Sequence, residues 1–314
     1  MAMDEFQLIR HHFSRLTTSQ RGVALGIGDD CALLQIPPGF ELAVTTDTLV
    51  EGRHFPSHAS PYDIGWKALA VNLSDLAAMG AEPHWFTLAL TLPEPDSGWL
   101  AEFGRGLKAL AEPHHVALVG GDTTRGALSL TITAMGLVPN GRAIKRSNAQ
   151  AGDWVCVTGT LGDAALALGQ LHDPALPDAL RLRLHRPQPR VQAGLALRDF
   201  AHAAIDLSDG LAGDLDHILQ ASGVGAVIQA AQLPMSSEFE RLAPAASRLA
   251  LQAQGGDDYE LCFCIAPDQL DMLRAATEVP IQVVGVVTDK PGLRFVDAEG
   301  VTIPMDSIGY RHFA

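Results

Sequence analysis

The sequence predicts a mixed α/β protein of the α+β class, built as two domains. Its 314 residues, 47% of them hydrophobic, supply enough apolar side chain for two cores. Short β-prone runs alternate with helix-periodic segments along the first half. A polar stretch, RSNAQAGD at 146–153, then breaks the pattern before a strand resumes. The boundary near 150 gives domains 1–148 and 149–314, each expected to be a mixed sheet packed with helices.

The opening MAMDEFQLIRHHF sets Phe6, Ile9 and Phe13 on one helical face. It lacks the long apolar core of a signal peptide or a membrane span. FELAVTTD (40–47), FTLALTL (86–92), HVALVGGD (115–122) and LSLTITAMGLV (128–138) read as strands, and the segments near 62–79 and 97–111 as helices. Beyond the linker, WVCVTG reads as a strand and LGDAALALGQL as a helix. The proline- and arginine-rich stretch 172–191 reads as a helix between exposed turns. Cys262 and Cys264 alternate with Leu261, Phe263 and Ile265, which predicts a core strand rather than a ligand pair. With no CxxC among four cysteines, a reducing, cytoplasmic setting is expected. A net charge of -14 without any basic stripe excludes a phosphate-backbone binder, so no nucleic-acid partner and no membrane are expected.

Three short motifs recur in order. Gly28-Asp29 returns as Gly162-Asp163, Leu73-Ser74-Asp75 as Leu207-Ser208-Asp209, and Gly120-Gly121-Asp122 as Gly255-Gly256-Asp257, at offsets of 134, 134 and 135. Descent of both halves from one unit would put the paired motifs on equivalent elements.

Carboxylates gather at predicted element ends: Asp29 and Asp30 in IGDDCALL, then Asp47, Asp75, Asp122, Asp206, Asp209, Asp257, Asp258 and Glu260. Gly26 and Gly28 begin a dinucleotide-type GxGxxG, but Cys31 breaks it. Asp75 is the most telling, as the only ionisable residue between Ala68 and Ala81. A bare carboxylate buried there costs roughly several kcal/mol unless it is paired or metal-bound. Lys67 lies about two turns away, too far to pair directly. Hard oxygen ligands without a histidine or cysteine cluster favour Mg²⁺ over zinc or iron. Individually each aspartate could instead cap a helix or turn, as Asp209 could before GLAGDLDHI. Asp214, Asp216 and His217 fall off the Leu211, Leu215, Ile218 and Leu219 face and are expected at the solvated surface. An acidic cleft repels phosphates until divalent ions bridge the two, and neither a GxxxxGK[ST] loop nor a kinase glycine loop is present to hold them otherwise. TGTLGD (158–163) reads as a plain turn, with anion-binding amides the alternative.

In order along the whole chain, EFQLI, GIGDDCALL, TTDTLVEGRHF, KALAVNLSDLAAMGAEP, VGGDTTRG, AIDLSDGL, GGDDYELCF and the closing GYRHF resemble the thiamine-monophosphate kinase family. The wider aminoimidazole ribonucleotide synthetase-like superfamily shares parts of this acidic pattern. The resemblance implies the two-domain fold of that superfamily, a homodimer through the first domain, and ATP-dependent conversion of thiamine monophosphate to thiamine diphosphate. It implies several Mg²⁺ ions on Asp30, Thr45, Thr46, Asp47, Asp75, Asp122, Asp206 and Asp209. ATP, the co-substrate, would meet Gly121, Asp122, Arg146 and Ser208, and thiamine monophosphate would meet His54, Glu260 and Tyr310. Where the family carries a tyrosine before the GGD strand this chain reads Glu112-Pro113-His114-His115, so His114 stands in its place near the nucleotide.

The acceptor phosphate has a second pKa of about 6 and is largely a dianion at pH 7, so the nucleophile needs no general base. Direct in-line transfer without a phosphoenzyme is therefore expected. The competing readings are another ATP-dependent enzyme of the superfamily and a two-metal phosphohydrolase that activates water with the same carboxylates.

Overall fold

Long antiparallel strands organise the first half of the protein and a wider, shorter-stranded sheet the second. The computed structural model describes residues 5–14 and 16–305. They divide into two compact units, one of residues up to Leu76 with Ala81–Gly141, the other of Ala77–Gly80 with the chain from Arg142.

The first unit runs α1 (Glu5–His12), β1 (Val23–Leu25), β2 (Leu33–Leu34), β3 (Phe40–Val50), α2 (Pro61–Ala78), β4 (Glu82–Leu92), α3 (Ser97–Ala111), β5 (Ala117–Arg125) and β6 (Ser129–Pro139). Its main sheet has the order β3-β6-β4-β5. Only β4 and β5 are parallel, and α3 supplies the crossover that a parallel pair requires. Asp96 caps α3 by accepting the amides of Gly98 and Trp99, and Leu100, Phe103, Leu107 and Leu110 recur at helical spacing on its buried side. The strand β3 alternates in the same way with period two. Thr45, Asp47 and Leu49 turn inward, whereas Leu42, Val44, Thr46, Thr48 and Val50 are exposed.

Helices α2 and α3 approach backbone to backbone because each places a glycine at the crossing. A Cβ on Gly65 would sit 2.2 Å from the Phe103 carbonyl oxygen, and one on Gly106 only 2.0 Å from that of Tyr62. This close approach seats α2, the helix that carries Asp75, on the unit's core.

The second unit runs β7 (Trp154–Thr158), α4 (Asp163–Gly169), α5 (Asp178–His185), α6 (Val191–Leu197), β8 (Ala201–Asp206), α7 (Leu211–Ser222), β9 (Gly225–Gln229), α8 (Ser237–Leu242), α9 (Arg248–Gln254), β10 (Leu261–Ile265), α10 (Leu270–Ala276), β11 (Ile281–Thr288), β12 (Gly292–Val296) and β13 (Thr302–Ile303). Its seven-stranded sheet has the order β13-β12-β9-β11-β7-β10-β8. The five residues of β10 are all buried, and Cys156, Cys262 and Cys264 are free thiols in this core, as a strand role requires. Leu211, Leu215, Ile218 and Leu219 of α7 are buried as their spacing predicts. Among the described residues no helix is long and apolar enough to cross a membrane.

The internal repeat does not survive. Leu73-Ser74-Asp75 lies inside α2, whereas Leu207-Ser208-Asp209 is a loop between β8 and α7. Gly120-Gly121-Asp122 belongs to β5, whereas Gly255-Gly256-Asp257 is irregular chain between α9 and β10. Similar tripeptides here solve different local problems.

Gly106→Ala offers a direct test of the helix crossing. Alanine gains about 1 kcal/mol in helix propensity, yet the clash with Tyr62 should cost a net ~2 kcal/mol or more, read as a lower thermal midpoint.

Candidate functional site

In the first unit the inward face of β3 meets α2 at an acidic corner. Asp47 points at Asp75, and the Thr45 hydroxyl donates to Asp75 Oδ2 at 2.5 Å. Burial pushes the Asp47 carboxyl up to about 7, and the charge and hydrogen bond of Asp75 beside it push the same way. Two acids and a hydroxyl crowded together make a hard-oxygen donor set whose repulsion a divalent cation would relieve, which fits Mg²⁺. Among the described residues no three His, Cys, Asp or Glu side chains form a complete cage. Thr46, expected beside Thr45 and Asp47, is not brought to them. The pleat turns it to the opposite face, where its hydroxyl pairs with that of Thr133 at 2.9 Å.

Asp30, Gly121 and Asp122 line one cleft of about 1000 Å³ within this unit, together with Ile27, Gly28 and Thr87. A Cβ at Gly121, whose φ is +148°, would lie 1.9 Å from the Leu88 carbonyl oxygen, so only glycine passes β4 this closely. Asp29 accepts the amide of Asp30 at 2.8 Å and lines the same cleft. His54 Nδ1 accepts the Val50 amide at 3.0 Å, leaving Nε2 to carry the proton of the neutral ring. His114, half-buried between α3 and β5, is held below the usual histidine range by burial and by the neighbouring His115 charge, so its ring is neutral at pH 7.

In the second unit β8 ends at the buried Asp206, and Leu207–Gly210 leads into α7 with Ser208 and Asp209 partly exposed. Asp214, expected at the surface, is instead buried at 3% exposure. Its Oδ2 accepts the amides of Asp209 and Gly210 at 3.0 and 3.1 Å. Burial pushes this carboxyl up to about 7. Asp214 stands three residues after Leu211 and four before Ile218, so helical spacing itself sets it on the buried side, and its polarity alone suggested the surface. Arg146 is exposed, and its carbonyl accepts the Ser222 hydroxyl at 3.1 Å.

Glu260 departs most from expectation. It is fully buried. Arg190 grips it through Nε and Nη2 at 2.6 and 2.5 Å, Arg183 Nη2 donates at 3.0 Å and the Thr158 hydroxyl at 2.7 Å. Both oxygens are thus taken up inside the protein, where the carboxylate balances the two guanidinium charges. Asp258 is also enclosed, with both oxygens accepting the Gly162 amide. Two further amides of TGTLGD are also taken up, that of Gly159 by the Pro280 carbonyl and that of Leu161 by the Pro234 carbonyl. The partly exposed carboxylate of GGDDYEL is therefore that of Asp257. Its amide donates to the Ser208 carbonyl at 2.9 Å, and its φ is +69°. Tyr310 lies outside the described residues.

Similarity to known proteins spans both units. The AIR synthase related protein family matches with its N-terminal domain over residues 28–138 and its C-terminal domain over 150–298. The thiamine-monophosphate kinase of Escherichia coli K12 is 49% identical, covering 100% of this chain and 99% of the relative. The crystal structure of thiamine-monophosphate kinase from Stenotrophomonas maltophilia K279a superposes with a TM-score of 0.85 at 48% identity, over 95% of this chain and 96% of that one. AaThiL complexed with AMPPCP and TMP gives 0.78 at 29% identity, over 89% of each chain.

Glu260→Gln should separate the two roles of that residue. Removing the charge strands two arginines, so a loss of ~3–5 kcal/mol is expected in denaturant unfolding of the second unit. A surface contact residue would instead change substrate KM and leave stability alone.

Proposed function

The chain belongs to the thiamine-monophosphate kinase family of AIR synthase-related proteins, and from that premise we propose that it transfers the γ-phosphoryl group of ATP to thiamine monophosphate. The products are thiamine diphosphate and ADP, and the step is the last in making thiamine diphosphate. Full-length identity to the Escherichia coli kinase carries this reading.

The chemistry asked of the protein is positioning and charge control. The acceptor is already anionic at neutral pH, its second pKa being about 6, so no side chain needs to act as general base. Thr45, Asp47 and Asp75 would hold Mg²⁺ in the first unit, with Asp30 and Asp122 in its cleft and Asp206 and Asp209 in the second unit. When bound, such ions neutralise the phosphates during in-line transfer. His54 would donate through Nε2 to the substrate, Gly121 brings backbone close to the nucleotide, and Ser208, Arg146 and His114 would contact ATP. Glu260 supports the site by holding Arg183 and Arg190, and Asp257 is the acid of that motif that we assign to the substrate side.

A homodimer through the first unit accounts for the outer face of β3. That edge strand exposes Leu42, Val44 and Val50, with Val44 at 56%, a row that water alone would not favour. Free, mostly buried thiols support a cytoplasmic location.

Incubation with ATP, Mg²⁺ and thiamine monophosphate should yield thiamine diphosphate with inversion at the transferred phosphorus. ADP release should be negligible without the acceptor; release of phosphate alone would instead indicate a hydrolase. Asp75→Asn should lower kcat/KM by ~100-fold or more while leaving the thermal midpoint near wild type. In sedimentation analysis Val44→Glu should shift the protein from dimer toward monomer, since a buried unpaired charge costs several kcal/mol, roughly, per interface.

A further inference from the structure

We infer that Asp214 is a positioning residue for the loop Leu207–Gly210, a brace that sets where Ser208 and Asp209 present themselves without touching substrate or ion itself. The inference rests on the kinase reading for what the loop binds, but the brace stands on geometry alone. Helix α7 begins after Gly210, which has no side chain to cap it. The first amides of a helix need acceptors, and here one arrives from inside the helix. The Asp214 amide donates to the Gly210 carbonyl at 3.0 Å, while Asp214 Oδ2 accepts the Gly210 amide at 3.1 Å and the Asp209 amide at 3.0 Å. The loop is thereby closed on its own helix by reciprocal bonds.

Its other side is fixed by the segment Asp257–Glu260. The amides of Asp257 and Tyr259 donate to the carbonyls of Ser208 and Leu207 at 2.9 and 2.8 Å, and the Leu207 amide donates to the Glu260 carbonyl at 2.8 Å. Asp257 and Tyr259 both adopt left-handed φ, +69° and +49°, a costly backbone path for residues with a Cβ. The strained segment grips Leu207 and the Ser208 carbonyl, and Asp214 grips the amides of Ser208, Asp209 and Gly210. Removing either leaves part of the loop without hydrogen-bond partners. Oδ2 of Asp214 serves the amides of Asp209 and Gly210, and the Ser208 amide also turns to this carboxyl, so the amide oxygen of asparagine can keep the two bonds at 209 and 210, whereas alanine and serine cannot reach. That distinguishes a brace from a metal ligand or proton carrier, for which asparagine is a poor substitute.

The test combines hydrogen exchange with kinetics on the full-length protein. In nucleotide-free wild type the amides of Asp209 and Gly210 should be protected, and Asp214→Ala should speed their exchange by about tenfold or more. The same variant should raise KM for ATP by about tenfold with a smaller change in kcat, and Asp214→Asn should recover most of both effects. Unprotected amides in wild type would overturn the brace even if every variant failed to fold, and so would an alanine variant with unchanged exchange. An asparagine variant as impaired as alanine would overturn it in favour of a direct ligand. Should wild type form no thiamine diphosphate, the kinase reading falls while the exchange measurement still decides the brace.

Discussion

The approach of Asp47 to Asp75 is the constraint around which the first unit is arranged. Two carboxylates do not stay together by choice, and something other than their own attraction must hold them. The pleat of β3 supplies one, because the alternation that buries Leu49 also turns Asp47 inward. Helix α2 supplies the other, because the buried Leu73 and Leu76 fix the rotation that aims Asp75 at the sheet. The glycine crossing with α3 prevents the helix from backing away. Hydrophobic burial thus holds the two acids side by side, and the crowding shows in the raised Asp47 carboxyl.

The second unit treats its acids differently. Glu260 has two guanidinium groups, Asp258 has a backbone amide, and Asp214 has two. These three buried carboxylates have counter-groups that satisfy their oxygens from within. Asp209 and Asp257 instead remain partly open to solvent, with their backbone amides held by Asp214 and by the Ser208 carbonyl. The difference sorts one acidic sequence pattern into residues that hold the scaffold and residues able to receive a ligand. It also explains how a chain of net charge -14 tolerates so many buried acids.

Much of this was legible in the sequence where local spacing decides the outcome. The strands from 40 to 138 and the helices near 62–79 and 97–111 follow from periods of two and 3.6, and Asp75 announced itself by being alone among apolar neighbours. Partners distant in sequence were not legible. Nothing near Glu260 reveals that Arg183 and Arg190, some seventy residues upstream, converge on it. Asp214 is expected at the surface on polarity alone, although its place three residues after Leu211 and four before Ile218 already sets it on the buried face. Thr46 was grouped with its neighbours by motif, although the same period-two rule already puts it on the opposite face. The Ser-Asp and Gly-Gly-Asp echoes misled because a tripeptide specifies neither helix nor loop.

A family motif therefore transfers as a block of sequence but not as a block of function. GGDDYEL contains four acidic or phenolic side chains in a row, and an irregular, partly left-handed path leaves the first partly exposed and buries the next three. Asp258 and Glu260 are enclosed, and Asp257 is not. The enclosed pair gives the strained segment its footing, since a left-handed Asp257 costs free energy that only anchored neighbours can offset. Asp257 and its anchors are thus physically inseparable even though only Asp257 is open to solvent. Substituting any of the three would impair activity, and only stability and exchange measurements tell contact from support.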